Sequence, residues 1–297
     1  MSIFEGVATA LVTPFNTDGS VNYHKLEELL EAQLKDGVDG FVICGTTGES
    51  ATLTEKEHID VIRRAVKFVD GAVPVIAGTG SNSTQTAIEM SKEAEDAGAD
   101  ALLLVSPYYN KATAEGLYEH FADTANAVKI PTVLYNIPGR TGINIPAEII
   151  YRLANDIKNI VAVKEASGDV SQIAKIAALT AELDFDIYSG NDDQVLAVCA
   201  MGGKGVISVA SHIIPTQMHD MVMSFIKGDT KKALEIQNTY LSLINALFMD
   251  VNPIPVKEAL NIIGYDAGGF RKPLTPMSAA HREVLKKELI KAGVITG

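Results

Sequence analysis

The chain has 297 residues, 47% of them apolar and 21% charged, which is too apolar for disorder and long enough for one large α/β barrel with an extension or for two ordinary domains. A formal net charge of −12 and a pI of about 5.0 exclude nucleic acid and anionic membranes as partners, and mean that an anionic substrate must be met by a local cluster of positive or N–H groups. Cys44 and Cys199 each end an apolar run and read as reduced core thiols. Residues 1–20 lack a signal-peptide pattern, and no apolar stretch reaches the roughly 18 residues of a membrane span, so the expected location is the cytoplasm.

One unit recurs eight times along the chain: a short β-branched apolar run, a loop of small polar residues, then a longer amphipathic stretch. The strands are expected at Val7–Thr13, Gly40–Cys44, Pro74–Ala77, Ala101–Val105, Thr132–Tyr135, Ile160–Lys164, Asp186–Ser189 and Val206–Val209. Most are continuous apolar runs, as strands covered on both faces should be. Helices are expected near Tyr23–Lys35, Glu55–Phe68, Thr84–Ala97, Ala114–Ala127, Ala147–Leu153, Val170–Ala181, Asp192–Met201 and Pro215–Ile226. Thr54 with Glu57 three residues on forms a capping-box pattern, Pro146 suits a first helical turn, and Gly98 stands where a helix-ending glycine belongs.

Eight β-α units in this length predict an α/β fold of the (β/α)8 TIM-barrel type rather than a doubly wound sheet. Gly78-Thr79-Gly80-Ser81-Asn82-Ser83 lacks the third glycine of a dinucleotide loop, and Gly6 is placed before the first strand. Beyond about residue 228 the strand signal stops and helices are expected at Thr230–Phe248, Pro255–Ile263 and Ala279–Ala292. The expected organisation is therefore a catalytic barrel over residues 1–227 and a tightly packed C-terminal three-helix extension over 228–297.

In such a barrel the chemistry gathers at the C-terminal strand ends. Lys164 directly follows the uninterrupted apolar run Ile160–Val163. A lysine nucleophile must be neutral, and an ordinary one, with a pKa of about 10.4, is neutral in roughly one molecule in 2,500 at pH 7. A dry barrel mouth would depress that pKa; the alternative is a surface lysine paired with Glu165. Gly45-Thr46-Thr47-Gly48-Glu49 after strand two offers hydroxyls and N–H groups to a carboxylate, or forms an ordinary turn. After strand five, Tyr135 can reach the barrel mouth as a proton relay, and Arg140 offers a planar fork for a carboxylate; the alternative is a packed tyrosine and a solvated arginine. Ser106-Pro107-Tyr108-Tyr109-Asn110 and Ser189-Gly190-Asn191-Asp192 follow strands four and seven, the first as packing or interface, the second as substrate contacts or a helix cap. The six histidines have no metal-ligand spacing, no G-x-S-x-G elbow appears, and Gly202-Gly203-Lys204-Gly205 enters strand eight at the wrong face for a phosphate loop. A strand-end lysine with no metal and no dinucleotide loop points to class I carbonyl chemistry.

Five motifs, in order, carry a resemblance over about Gly6 to Leu289: Gly45-Thr46-Thr47-Gly48-Glu49, Pro107-Tyr108-Tyr109-Asn110, Tyr135 to Gly142, Val163-Lys164-Glu165-Ala166 and Asn252-Pro253-Ile254-Pro255-Val256-Lys257. The chain resembles the 4-hydroxy-tetrahydrodipicolinate synthase (dihydrodipicolinate synthase) family of the class I pyruvate-dependent lyase superfamily. The superfamily's sugar-acid aldolases, such as N-acetylneuraminate lyase and 2-keto-3-deoxy-gluconate aldolases, are the alternative. The resemblance implies a Schiff base between Lys164 and pyruvate, with no cofactor beyond that covalent adduct. It implies a proton relay of Thr47, Tyr135 and Tyr109, the last from a neighbouring subunit. Pyruvate would be held by Thr46 and Thr47 with Ile207 and Gly190 nearby, and aspartate 4-semialdehyde by Arg140. A homotetramer built as a dimer of dimers is also implied. Ser50, Ala51, His58, Asn82 and Tyr108 match a lysine-binding effector site, but Glu55 and Thr86 stand where sensitive members often carry histidine and glutamate. Losing a carboxylate at Thr86 implies weak or no feedback inhibition by lysine.

Overall fold

The computed structural model describes residues 2–296, so the outermost domain bounds, 1 and 297, lie outside the described residues. Strands β1 (Gly6–Ala10), β2 (Gly40–Ile43), β3 (Val75–Gly78), β4 (Ala101–Val105), β5 (Thr132–Asn136), β6 (Ile160–Glu165), β7 (Asp186–Ser189) and β8 (Gly205–Ser208) are all parallel and close on themselves in sequence order. The connecting helices are α1 (Tyr23–Lys35), α2 (Glu55–Val69), α3 (Thr84–Asp96), α4 (Ala114–Asn126), α5 (Pro138–Thr141), α6 (Ala147–Asp156), α7 (Val170–Leu179), α8 (Val195–Ala200) and α9 (Pro215–Ile226). This is the expected (β/α)8 barrel. The C-terminal extension is α10 (Thr230–Ala246), α11 (Ile254–Ile262) and α12 (Ala279–Lys291). Its Leu243, Ile244, Val256, Leu260, Leu285 and Leu289 belong to the same apolar cluster as the barrel–helix layer, so the extension shares the barrel's core.

Strand alternation divides the apolar residues into two sets. One set, including Phe41, Ile43, Val75, Leu102 and Leu134, faces the helices. The other fills the barrel interior with small or slender side chains, among them Ala8, Ala10, Val42, Ile76, Val133, Ala162 and Ile207. At the N-terminal end Phe4 and Tyr188 stack with ring centroids 4.3 Å apart, and the Tyr188 hydroxyl donates to Phe4 O at 2.8 Å. Aromatic bulk therefore closes the floor, and the alanines leave room towards the opposite end.

Several boundaries differ from expectation for physical reasons. Strand β1 ends at Ala10, not Thr13, because Thr13 turns its hydroxyl onto Gly48 O (2.7 Å) and Pro14 has no N–H to extend the ladder. Gly6 lies within β1 rather than before it, and pairs with Gly205. Helix α8 begins at Val195 rather than Asp192, because the Asp192 carboxylate accepts the N–H groups of Val209 and Ala210, each at 3.0 Å, across to the end of β8. Pro146 is the N-cap of α6 rather than a first-turn residue. The segment read as a loop after strand five contains the one-turn α5, started by Pro138 and ended by Gly142 at φ +72°. The Thr54–Glu57 capping box is present in full, and Gly98 closes α3 at φ +90°. Both cysteines are buried and free. Among the described residues no helix is long and apolar enough to cross a membrane.

Candidate active site

Period-two alternation places Ala162 and Lys164 of β6 and Val133 and Tyr135 of β5 inside the barrel. The register pairs Tyr135 with Lys164, and Lys164 with Tyr188. Lys164 is 6% exposed and its Nζ lies 4.4 Å from the centre of the Tyr135 ring. It donates no hydrogen bond to any described residue. The alternative pairing with Glu165 is not what the structure shows. The Glu165 side chain points to the other face of the strand, where Asn136 Nδ2 (3.1 and 3.0 Å), Ser167 N (2.7 Å) and Gln172 Nε2 (3.0 Å) donate to it. Burial depresses the Lys164 pKa to about 7; the charge of Asp192 opposes that shift and the Arg140 guanidinium reinforces it. A substantial fraction of this amine is therefore unprotonated near neutrality.

Tyr135 is 5% exposed, and burial raises its phenol to about 12, against the lowering effects of Arg140 and of a hydrogen bond from Thr46. The phenol thus keeps its proton and can pass one along. The relay was expected to join Tyr135 to Thr47. The hydroxyl that lowers the Tyr135 pKa is that of Thr46, whereas Thr47 Oγ1 accepts from Asn252 Nδ2 at 2.8 Å.

The turn that carries both threonines is anchored from the C-terminal extension. Glu49, in the left-handed region at φ 53°, is 4% exposed. It accepts from Lys257 Nζ at 2.8 Å and from Arg271 N at 3.1 Å. Lys257 is fully buried, and its other two protons go to Thr13 O (3.0 Å) and Gly269 O (2.6 Å). Arg271 in turn makes a forked pair with Glu57 of the α2 capping box, at 2.8 and 2.6 Å. Composition and spacing carried no signal for Asn252 or Lys257 as parts of the site; both were visible only as letters in a motif.

Arg140, on α5, is exposed at the mouth, with Nη2 donating to Asn252 O at 2.9 Å. It lines a cavity of about 470 Å³ together with Thr46, Ile137, Asn252 and Tyr108. Lys164 and Tyr135 do not line this cavity; both are buried, and Thr46, which does line it, lowers the Tyr135 pKa. Gly190 donates its N–H to Glu165 O at 2.8 Å, and a β-carbon there would sit 2.6 Å from Ala166 Cβ and 3.0 Å from Lys164 Cε. Only glycine leaves the lysine stem its place. Ile207 is buried on the interior wall. Tyr109 is not brought to this group: it is 91% exposed at φ 75° on the loop after β4.

The same cavity reaches Ser50, Ala51, His58 and Tyr108, with Glu55 and Thr86 beside them. Asn82 is not among the lining residues; its carbonyl accepts from Asn110 Nδ2 at 2.9 Å. His58 is held neutral, its pKa lowered by burial to about 4, with Nε2 2.6 Å from Gly78 O. Asp192, which sequence reasoning offered only as a contact or cap, is a buried carboxylate whose charge Lys164 feels; burial raises its pKa against its hydrogen bonds from Ser208, Ala210 and Val209.

Known proteins match this architecture over its whole length. The model of the dihydrodipicolinate synthetase family matches residues 3–292. A 4-hydroxy-tetrahydrodipicolinate synthase of Lachnoclostridium phytofermentans is 54% identical over 295 residues, covering 99% of this chain and 100% of that protein. One of Clostridium tetani is 52% identical over 295 residues, again covering 99% and 100%. Among solved structures, dihydrodipicolinate synthase of Cyanidioschyzon merolae, determined with lysine bound, superposes with a TM-score of 0.97 at 44% identity, covering 99% of this chain and all (100%) of that one. The chain belongs to the dihydrodipicolinate synthetase family.

Proposed function

We propose that the chain condenses pyruvate with L-aspartate 4-semialdehyde to 4-hydroxy-tetrahydrodipicolinate, the first committed step of diaminopimelate and lysine biosynthesis. The observation that carries the mechanism is a buried lysine at the end of β6 that has no hydrogen-bond acceptor among the described residues and a pKa lowered to about 7. Its neutral amine attacks the ketone carbon of pyruvate, and loss of water leaves an iminium bound to Lys164. The iminium draws electrons from the adjacent methyl group, which loses a proton to give an enamine. The enamine carbon bonds to the aldehyde carbon of the semialdehyde. The amine of that substrate then attacks the imine carbon, closing the ring and releasing Lys164. No metal or further cofactor takes part in these steps.

Tyr135, kept protonated by burial, with the Thr46 hydroxyl lowering its pKa, supplies and recovers protons. Thr47 and the neighbouring N–H groups hold the pyruvate carboxylate beside Ile207 and Gly190. Arg140, at the mouth, holds that of the semialdehyde. Tyr109 completes the relay from a second copy of the chain: exposed on its own subunit in a left-handed backbone conformation, it is displayed outward. This fits a homotetramer assembled as a dimer of dimers, working in the cytoplasm. Relatives more than half identical in sequence, all named as synthases, favour this reaction over a sugar-acid aldolase. Incubation with pyruvate, borohydride reduction and mass spectrometry test the reading: a stable adduct on Lys164 is expected, and its absence would refute the mechanism.

A further inference from the structure

We propose that Asn252 is a positioning residue that fixes the direction of the Thr47 hydroxyl, making Thr47 a hydrogen-bond donor to the carboxylate of the 2-oxo acid. The proposal rests on the reading of this site as a pyruvate site. Asn252 Nδ2 donates to Thr47 Oγ1 at 2.8 Å, and the two residues are 7% and 4% exposed. Thr47 is thereby an acceptor on one side, and its own proton goes to no described residue. A hydroxyl so held must present that proton to whatever occupies the space beside it. Asn252 does not sit there to satisfy itself, because its Oδ1 is buried without a partner among the described residues. Such an orphan is costly to retain and marks a demand made elsewhere.

The main chain of the same residue performs a separate task. Asn252 O accepts from Arg140 Nη2 at 2.9 Å. Side chain and backbone therefore reach the two groups assigned to the two substrates' carboxylates. The position is fixed further by Lys257, one turn on, which grips Glu49 in the turn that carries Thr47.

The two roles separate experimentally in the full-length enzyme. Asn252→Ala should raise the KM for pyruvate by about tenfold, the range for a hydrogen bond to a charged group. The KM for the semialdehyde should stay within about twofold, since a main-chain carbonyl survives the substitution. Asn252→Asp, nearly isosteric and so available should the truncation not fold, should be worse for pyruvate. Its carboxylate would take the Thr47 proton and repel the anion, increasingly as pH rises through its titration. In a Thr47→Val background Asn252→Ala should add nothing. A near-normal pyruvate KM in Asn252→Asp would overturn the proposal by showing that the amide accepts rather than donates. Equal rises in both KM values, or additivity with Thr47→Val, would overturn it in favour of a merely structural role. Wild-type protein that forms no pyruvate adduct would overturn both this proposal and the reading beneath it.

Discussion

Two lysines are buried, one on β6 and one on α11, and they have opposite fates. Lys164 is 6% exposed with no acceptor for its protons, beside the face of Tyr135. Lys257 is 0% exposed, yet all three of its protons are taken, by Glu49, Thr13 and Gly269. The Phe15 ring lies 4.3 Å from its nitrogen. Burial pushes both pKa values down, but at Lys257 the Glu49 carboxylate and its hydrogen bond work to hold the proton. Desolvation alone therefore does not make a nucleophile. What separates the lysine proposed to react from the structural one is the absence of acceptors among the described residues, and only the second can serve as a tie between barrel and extension.

That contrast can be broken in several ways. Lys164→Ala should remove pyruvate trapping and lower turnover on the order of a thousandfold or more; labelling that persists in this variant would show that another lysine reacts. Lys257→Met should leave turnover chemistry formally intact but strand Glu49, costing about 3–5 kcal/mol of stability; urea unfolding within about 1 kcal/mol of wild type would dissolve the distinction between the two residues.

Lys164→Met should do the reverse and stabilise the protein. The folded-state pKa of about 7 lies below the ordinary lysine value of 10.5. The unfolded chain therefore binds more protons between those limits, and wild-type stability rises with pH across them. The gain from Lys164→Met is thus greatest below pH 7, on the order of 4 kcal/mol, and fades towards pH 10.5. A gain that does not change between pH 6 and pH 10 would argue against a depressed lysine. Arg140→Ala sharpens the comparison at the mouth: the KM for the semialdehyde should rise by about tenfold while pyruvate binding stays near normal, and equal losses for both would contradict its role. The smallest effect expected is none at all. Added lysine should inhibit weakly or not at all, because Thr86 supplies no carboxylate to the cavity it lines; half-inhibition at sub-millimolar lysine would refute this.

Much of this was legible from local pattern. Continuous apolar runs at regular spacing revealed the eight strands, and Lys164 stood out because an uninterrupted run leads straight into it. The Thr54–Glu57 cap is written within four residues and was recovered in full. What stayed hidden depends on partners far apart in the chain. Lys257 and Glu49 are separated by 208 positions, and Asn252 and Thr47 by 205. The shortened α8 has a similar cause, since Asp192 caps backbone 17 and 18 residues away, just past the end of β8, instead of its own helix. The choice between Thr46 and Thr47 was beyond spacing altogether. The two residues are chemically identical and adjacent, and only the folded turn decides which hydroxyl accepts from Asn252.

The stacked rings of Phe4 and Tyr188 at the base of the barrel bear on the order of events. In the proposed reaction, a tube stoppered at one end means that the reactant bonded to Lys164 enters before the one held at Arg140. The finished ring then has to back out along the path its second half came in by, before another turnover can begin.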